Sequence, residues 1–260
     1  MTPQLAIEAL GFGALIGLSL GALGAGGSIL TVPILVYIMG VPVQSAAGTS
    51  LAIVGLNAAV GALDQLRRGR SLPRTGIAFG ASGLLGAFAG SWLNHVSRAE
   101  VVLVLFALLM LGAAWSLVRR RTEADTSHFA EHYTLFGWAR LAALGLAIGV
   151  LTGFFGVGGG FLIVPALVLV LGLPMRLAVG TSLLAIALNA LWGLLGYARF
   201  GDLDWGLAAV FAAGGALGVI AGGRLAGRLP ERMLRHAFAV VIVAIAGYTF
   251  IRSAATLAAI

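Results

Sequence analysis

The chain has no cysteine and no lysine, and it carries few charges of either sign. Without cysteine there is no disulfide, no thiolate nucleophile and no Cys-based metal site. Without lysine there is no phosphate-binding loop of the Gly-Lys-Ser/Thr kind, and so no nucleotide-driven engine within this chain. Charged residues fill 10% of the 260 positions and hydrophobic ones 60%, where soluble domains carry about 25% and roughly 45–50%. A water-soluble fold of this size could not cover its surface with so little charge, so lipid must be its solvent. The net charge of +7 comes from 16 arginines and 9 acids, and the arginines sit in loops between apolar runs. Such a pattern is a topology signal and a contact with anionic lipid, so nucleic acid is excluded as a partner. Nor does the amino end read as a cleavable signal, since it lacks a basic region, carries Glu8, and continues from Leu5 into the fold.

What is present is a series of long apolar runs. Crossing a bilayer core takes about 20 apolar residues in a helix, and eight stretches qualify: Leu5–Leu23, Ser45–Leu63, Thr75–Leu93, Val101–Val118, Leu141–Val157, Leu177–Tyr197, Trp205–Gly223 and Leu234–Ile251. Two more, Ser28–Met39 and Gly160–Leu171, have only 12 residues each. As helices they would reach about 18 Å, short of the roughly 30 Å core.

The chain is a duplication. Sliding it by 132 positions aligns Gly17–Leu63 with Gly149–Leu195 without a gap, and 22 of those 47 positions are identical. Pro33/Pro165, Pro42/Pro174, Gly48-Thr49-Ser50/Gly180-Thr181-Ser182 and Asn57/Asn189 fall into register together. Residues 1–118 form a first membrane repeat, 119–140 a charged connection, and 141–260 a second repeat.

Arginine placement addresses the orientation of the copies, because cytoplasmic loops collect arginine. Asp64–Arg74 holds four arginines and its mate Ala198–Asp204 one, whereas Asn94–Glu100 holds one and its mate Arg224–Arg235 four. Equivalent loops with opposite bias are the mark of inverted copies. If the two short segments also cross, thirteen arginines fall on one side and three on the other. The expected fold is therefore an all-α integral membrane bundle of two inverted repeats. Each has about five segments, four full spans plus one short broken one, with both termini outside.

Short segments interrupted by glycine and proline in corresponding places of two repeats are the best sequence pointer to a transporter's binding site. Here they are Gly21–Pro33 (GALGAGGSILTVP) and Gly153–Pro165 (GFFGVGGGFLIVP). Glycine runs can turn consecutive backbone N–H groups toward an anion, and the helix that follows adds its own free amides. The candidate cradle is Gly24, Gly26, Gly27 and Ser28 in one copy, and Gly156, Gly158, Gly159 and Gly160 in the other. The Gly-Thr-Ser turns are expected to open the next long helices, with Thr49, Ser50, Thr181 and Ser182 as caps or first-turn donors. Asn57 and Asn189 lie two turns deeper on much the same face. The two uncharged pockets are expected to meet at mid-depth and to hold a small anion with peptide dipoles.

Plainer roles compete for each of these residues. Membrane glycines mostly permit close helix packing, the reading for Gly86, Gly90, Gly218, Gly222 and for Gly11, Gly13 and Gly17. Hydroxyls can bond back to their own helix, and the asparagines can be interhelical glue. Asp64 reads as a surface ion pair with Arg67 or Arg68, and Glu8 as interfacial. His128, Glu131 and His132 have metal-like spacing but lack a third ligand. No cofactor motif is present, and no paired acids or Ser-His arrangement supports membrane catalysis. A secondary transporter, an anion-selective channel and a non-transporting scaffold all remain consistent with the residues. Homo-oligomerisation stays open.

The doubled Gly-rich hairpin followed by Val-Pro, then Gly-x-Pro and Ala-x-Gly-Thr-Ser, resembles the TauE/SafE family of membrane transporters across Leu5–Ile251. That resemblance implies a multi-pass permease of the bacterial inner membrane that exports small anions of the sulfite or sulfonate type. Ser28 departs from the pattern, standing where the second copy has Gly160.

Overall fold

The computed structural model describes residues 3–24, 26–97, 135–155, 160–197 and 203–230, with isolated positions between 102 and 115 and between 233 and 247. All regular structure among the described residues is helical. In chain order the helices are α1 (Pro3–Leu23), α2 (Gly26–Pro33), α3 (Val43–Arg67), α4 (Pro73–Ser82), α5 (Leu84–Val96), α6 (Leu135–Phe155), α7 (Gly160–Leu169), α8 (Met175–Tyr197) and α9 (Trp205–Ala226). Five are long and apolar enough to cross a bilayer, and the α4–α5 pair, bent by 44° at Gly83, makes a sixth. The isolated described positions within the expected spans Val101–Val118 and Leu234–Ile251 are helical too.

Both expected short segments form. The first is α2 followed by a π-helical stretch, Ile34–Ile38. The change falls directly after Pro33, whereas the equivalent Pro165 lies inside a regular α7. At the far end Gly40 and Gly172, equivalent in the two copies, both turn left-handed with φ +69°. There the Val41 amide donates to the Leu35 carbonyl at 2.9 Å, and Leu173 to Leu167 at 3.1 Å. The duplication is thus reproduced in backbone geometry as well as in letters.

Helix pairing shows how the copies interlock. Gly13, Gly17 and Gly21 of α1 abut Phe211, Gly215 and Val219 of α9, so these two helices run parallel. The equivalent contact joins Gly145, Gly149 and Gly153 of α6 to Phe79, Gly83 and Ala87 of α4 and α5. Each copy's first helix therefore packs on the other copy's fourth. At every one of these glycines a Cβ would overlap a partner carbonyl oxygen, so backbones touch directly. Gly11 differs from this set, since a Cβ there would meet nothing. Between the two pairs lie α3 and α8, with Leu51 facing Gly193, Gly55 facing Ala190, and Gly61 facing Leu183. These equivalent helices run antiparallel.

One end of the bundle gathers the arginine-bearing loops. There Gly180 of α8 abuts the Arg70 backbone, and Gly227 after α9 lies under the Arg70 guanidinium. Asp64 pairs with Arg68 through two contacts of 2.8 and 3.0 Å, the surface ion pair expected. At the other end the Asn94 amide donates to the Phe154 carbonyl at 2.6 Å, and Thr49 meets Asp204. The two short helices, α2 and α7, touch each other. Trp92 and Trp205 are exposed, as interfacial anchors should be.

Candidate functional site

The polar interior is small and uncharged. Among the described residues the buried polar side chains are Thr, Ser, Asn and Gln only. Glu8 is exposed and accepts from Gln4 at 3.4 Å, so it lies outside the buried interior. No group of His, Asp or Glu among the described residues could hold a metal; His128, Glu131 and His132 lie outside them.

The first hairpin is present. Gly24 ends α1 with φ +73°, a conformation that disfavours any side chain. Its amide donates to the Leu20 carbonyl at 2.7 Å. Its own carbonyl accepts from the Ser182 hydroxyl at 3.3 Å, and that hydroxyl also lies 2.8 Å from the Val179 carbonyl. Gly26 opens α2 and Ser28 sits in its first turn. Gly27 packs so closely on α1 that a Cβ would overlap the Ile16 carbonyl. Thr31 donates back to the Gly27 carbonyl at 2.9 Å. In the second hairpin Gly156, Gly158 and Gly159 lie outside the described residues, while Gly160 begins α7.

The Gly-Thr-Ser turns take a different place from the one expected. α3 starts at Val43 and α8 at Met175, directly after Pro42 and Pro174. Proline is well suited there, because an N–H so early in a helix has no partner to lose. Thr49, Ser50, Thr181 and Ser182 therefore fall in the second turn, fully buried, rather than at the caps. The threonines serve other helices instead. Thr49 Oγ1 accepts from the Asp204 amide at 3.3 Å, and Thr181 Oγ1 from the Leu72 amide at 3.0 Å. Asp204 and Leu72 are equivalent positions, and each is the residue that caps the next helix, α9 or α4. Sequence inspection missed this reciprocal bracing, because its partners come from opposite copies.

Asn57 and Asn189 give the most informative geometry. Both are completely buried, and neither the nitrogen nor the oxygen of either amide has a hydrogen-bond partner. They are not interhelical glue in this arrangement. Each amide is pressed against a glycine backbone, Asn57 on Gly215 of α9 and Asn189 on Gly83 at the α4–α5 bend. Both lie near the middle of the antiparallel α3–α8 pair.

The helices that lead into the hairpins do not end at that level. α1 ends beside Ser182, whereas α6 ends beside Tyr197, whose hydroxyl donates to the Gly153 carbonyl at 3.2 Å. Along α8 those two places are about 22 Å apart. The ends of α1 and α6 thus stand on opposite sides of the two amides. The cause is the antiparallel pairing of α3 and α8, which puts equivalent residues at opposite heights. A separate cleft of about 570 Å³ between α3 and α8 is lined by Leu51, Gly55, Leu56, Ala59, Leu188 and Leu191 among others. With Leu56 and Leu191 about half exposed, it is an outward-facing apolar groove, unsuited to an anion.

Long apolar helices, direct glycine packing and an uncharged buried centre define a multi-pass helical membrane protein built from two copies of one unit. The family model described as sulfite exporter TauE/SafE matches residues 9–249. A probable membrane transporter protein of Xylella fastidiosa (strain 9a5c) is 38% identical over 263 residues, covering 100% of both chains. YdhB of Bacillus subtilis (strain 168), also called a probable membrane transporter protein, is 32% identical over 224 residues, 86% of this chain and 91% of its own. No solved structure matches significantly. The chain belongs to the TauE/SafE family.

Proposed function

We propose that this protein is a secondary transporter that exports a small sulfite- or sulfonate-type anion across the bacterial inner membrane by alternating access. The observation that carries the reading is the pair of buried, unpartnered amides at Asn57 and Asn189. Leaving a buried polar group unpaired costs about 1–3 kcal/mol, and such groups in native folds call for a reason. A transported solute that pairs with them transiently is such a reason. Amide N–H groups with no fixed charge nearby can hold an anion and still release it, whereas a buried arginine would be costly to desolvate. The family's description supplies the substrate class, and the names of the relatives supply transport.

In this reading the two copies are inverted and each crosses five times. Support comes from the antiparallel α3–α8 pair, the exchanged α1–α9 and α6–α5 pairs, and the collection of arginine-rich loops at one end. The short helices would complete their crossings inside protein, where irregular backbone is tolerated. The arginine-rich end then faces the cytoplasm.

The test is counterflow of radiolabelled sulfite in proteoliposomes for Asn57→Ala and Asn189→Ala. Each variant should lose transport by at least about tenfold, the worth of one hydrogen bond to an anion, while inserting normally. Wild-type rates in both would remove the amides from the pathway. Single-channel current in place of saturable counterflow would replace the carrier with a pore.

A further inference from the structure

A second polar concavity lies at the arginine-rich end, and the mid-depth amides do not account for it. It has about 20 Å³ of open volume and is lined by Gln65, Arg70, Arg176, Val179, Gly223 and Gly227, among others. That volume exceeds the roughly 10–15 Å³ that one water needs, so one oxygen of a small anion fits while the rest projects from the mouth. Thirteen arginines belong to this side by sequence, and most of them are explained as topology signal. Arg70 and Arg176 are different because they line the same cleft from separate elements, the α3–α4 turn and the first turn of α8. The Arg70 guanidinium lies across Gly227, where a Cβ would displace it. Arg176 donates one N–H to the Leu229 carbonyl at 2.9 Å, which leaves other donors of its fork for a ligand.

Gln65 is the independent sign of a ligand. It is 4% exposed, it lines the cleft, and its Oε1 has no partner. Two guanidinium donors beside an unused amide oxygen suit a small oxyanion that carries a proton of its own. The anion's charged oxygens would face the arginines and its O–H would reach the amide. Val179 then links this cleft to the hairpin, since it also sits against Gly24, next to Ser182.

The equivalent positions at the opposite end carry different residues. The positions equivalent to Gln65, Arg176 and Arg70 are Tyr197, Gln44 and Asp202. There Tyr197 hydrogen-bonds Gly153, and Asn94, equivalent to Ala226, hydrogen-bonds Phe154. Small residues and arginines at one end thus stand against bonded aromatic and amide side chains at the other.

We infer that the Gln65–Arg70–Arg176 cleft is a loading site for a small protonated oxyanion, of the hydrogen sulfite kind, on the arginine-rich face alone. This rests on the carrier reading for its place in the route, but the binding itself can be tested separately. In proteoliposomes sorted by orientation, Arg70→Gln with Arg176→Gln should raise the KM for sulfite presented at the arginine-rich face by at least about tenfold. The maximal rate from that face should stay as in the wild type, and Vmax/KM from the other face should fall by the same factor, because a substitution cannot move the transport equilibrium. The effect should shrink as ionic strength rises, because these charges are partly solvated. With purified protein, sulfite should raise the melting temperature of the wild type more than equal methanesulfonate, which has no O–H, and should raise that of the double variant less than that of the wild type. Wild-type transport left unchanged by the double substitution, or a lower maximal rate from the arginine-rich face with no change in that KM, overturns the inference and leaves the carrier standing. Sulfite binding that needs both arginines in a protein that moves no anion would keep the cleft and overturn the carrier.

Discussion

Asn57 and Asn189 leave four amide atoms buried without partners, in a chain whose other candidate hydroxyls are largely engaged. Replacing a polar group that has no bond to lose is close to neutral, so the alanine variants should keep their melting temperature while losing transport. Thr49 and Thr181 should behave in the reverse sense. Each accepts the amide of the residue that caps a helix of the other copy. Thr49→Val or Thr181→Val strands that partly buried N–H at a cost of about 1–3 kcal/mol. A fall in melting temperature with near-wild-type KM is the expected result. Unchanged stability in both valine variants would deny the bracing role.

Glycine decides which helices can meet. Gly17 of α1 touches Gly215 of α9, and Gly149 of α6 touches Gly83, in each case with no room for a Cβ. Gly17→Val or Gly149→Val must push whole backbones apart, costing about 1–3 kcal/mol or more. Gly11→Val on the same face-counting pattern meets open space and should be tolerated. Thermal melts of the three purified variants check this, and a Gly17→Val protein as stable as Gly11→Val would contradict the contact. The α4–α5 bend belongs at this scale too, since the break at Gly83 is where the Asn189 amide rests.

Over the whole molecule, the proposed inversion of the two copies would place equivalent surfaces at opposite ends. His95 and Arg228 are both exposed, one in the last turn of α5 and the other just past α9. Since the chain has no cysteine, His95→Cys and Arg228→Cys each offer a single thiol. A membrane-impermeant maleimide applied to intact cells should label His95→Cys and spare Arg228→Cys. Labelling of both, or of Arg228→Cys alone, would refute the inverted arrangement with its arginine-rich face inside.

The letters alone determined the solvent, the helical class, the duplication and the boundaries of most long helices. Each depends on local composition or on the chain's likeness to itself, and neither needs a partner to be read. The left-handed turn at Gly24, the helix start at Gly160 and the ion pair at Asp64 were legible for the same reason. Which groups end up bonded was decided only by tertiary structure. Thr49 and Thr181 were spent on helix caps more than a hundred residues away, while Asn57 and Asn189 were left with none. Gln65 gained its role from two arginines that the sequence presents as ordinary loop charges. A hydrogen bond requires two groups to be brought within about 3 Å, and in an interlocked pair of copies that distance is set by the crossing of α3 and α8.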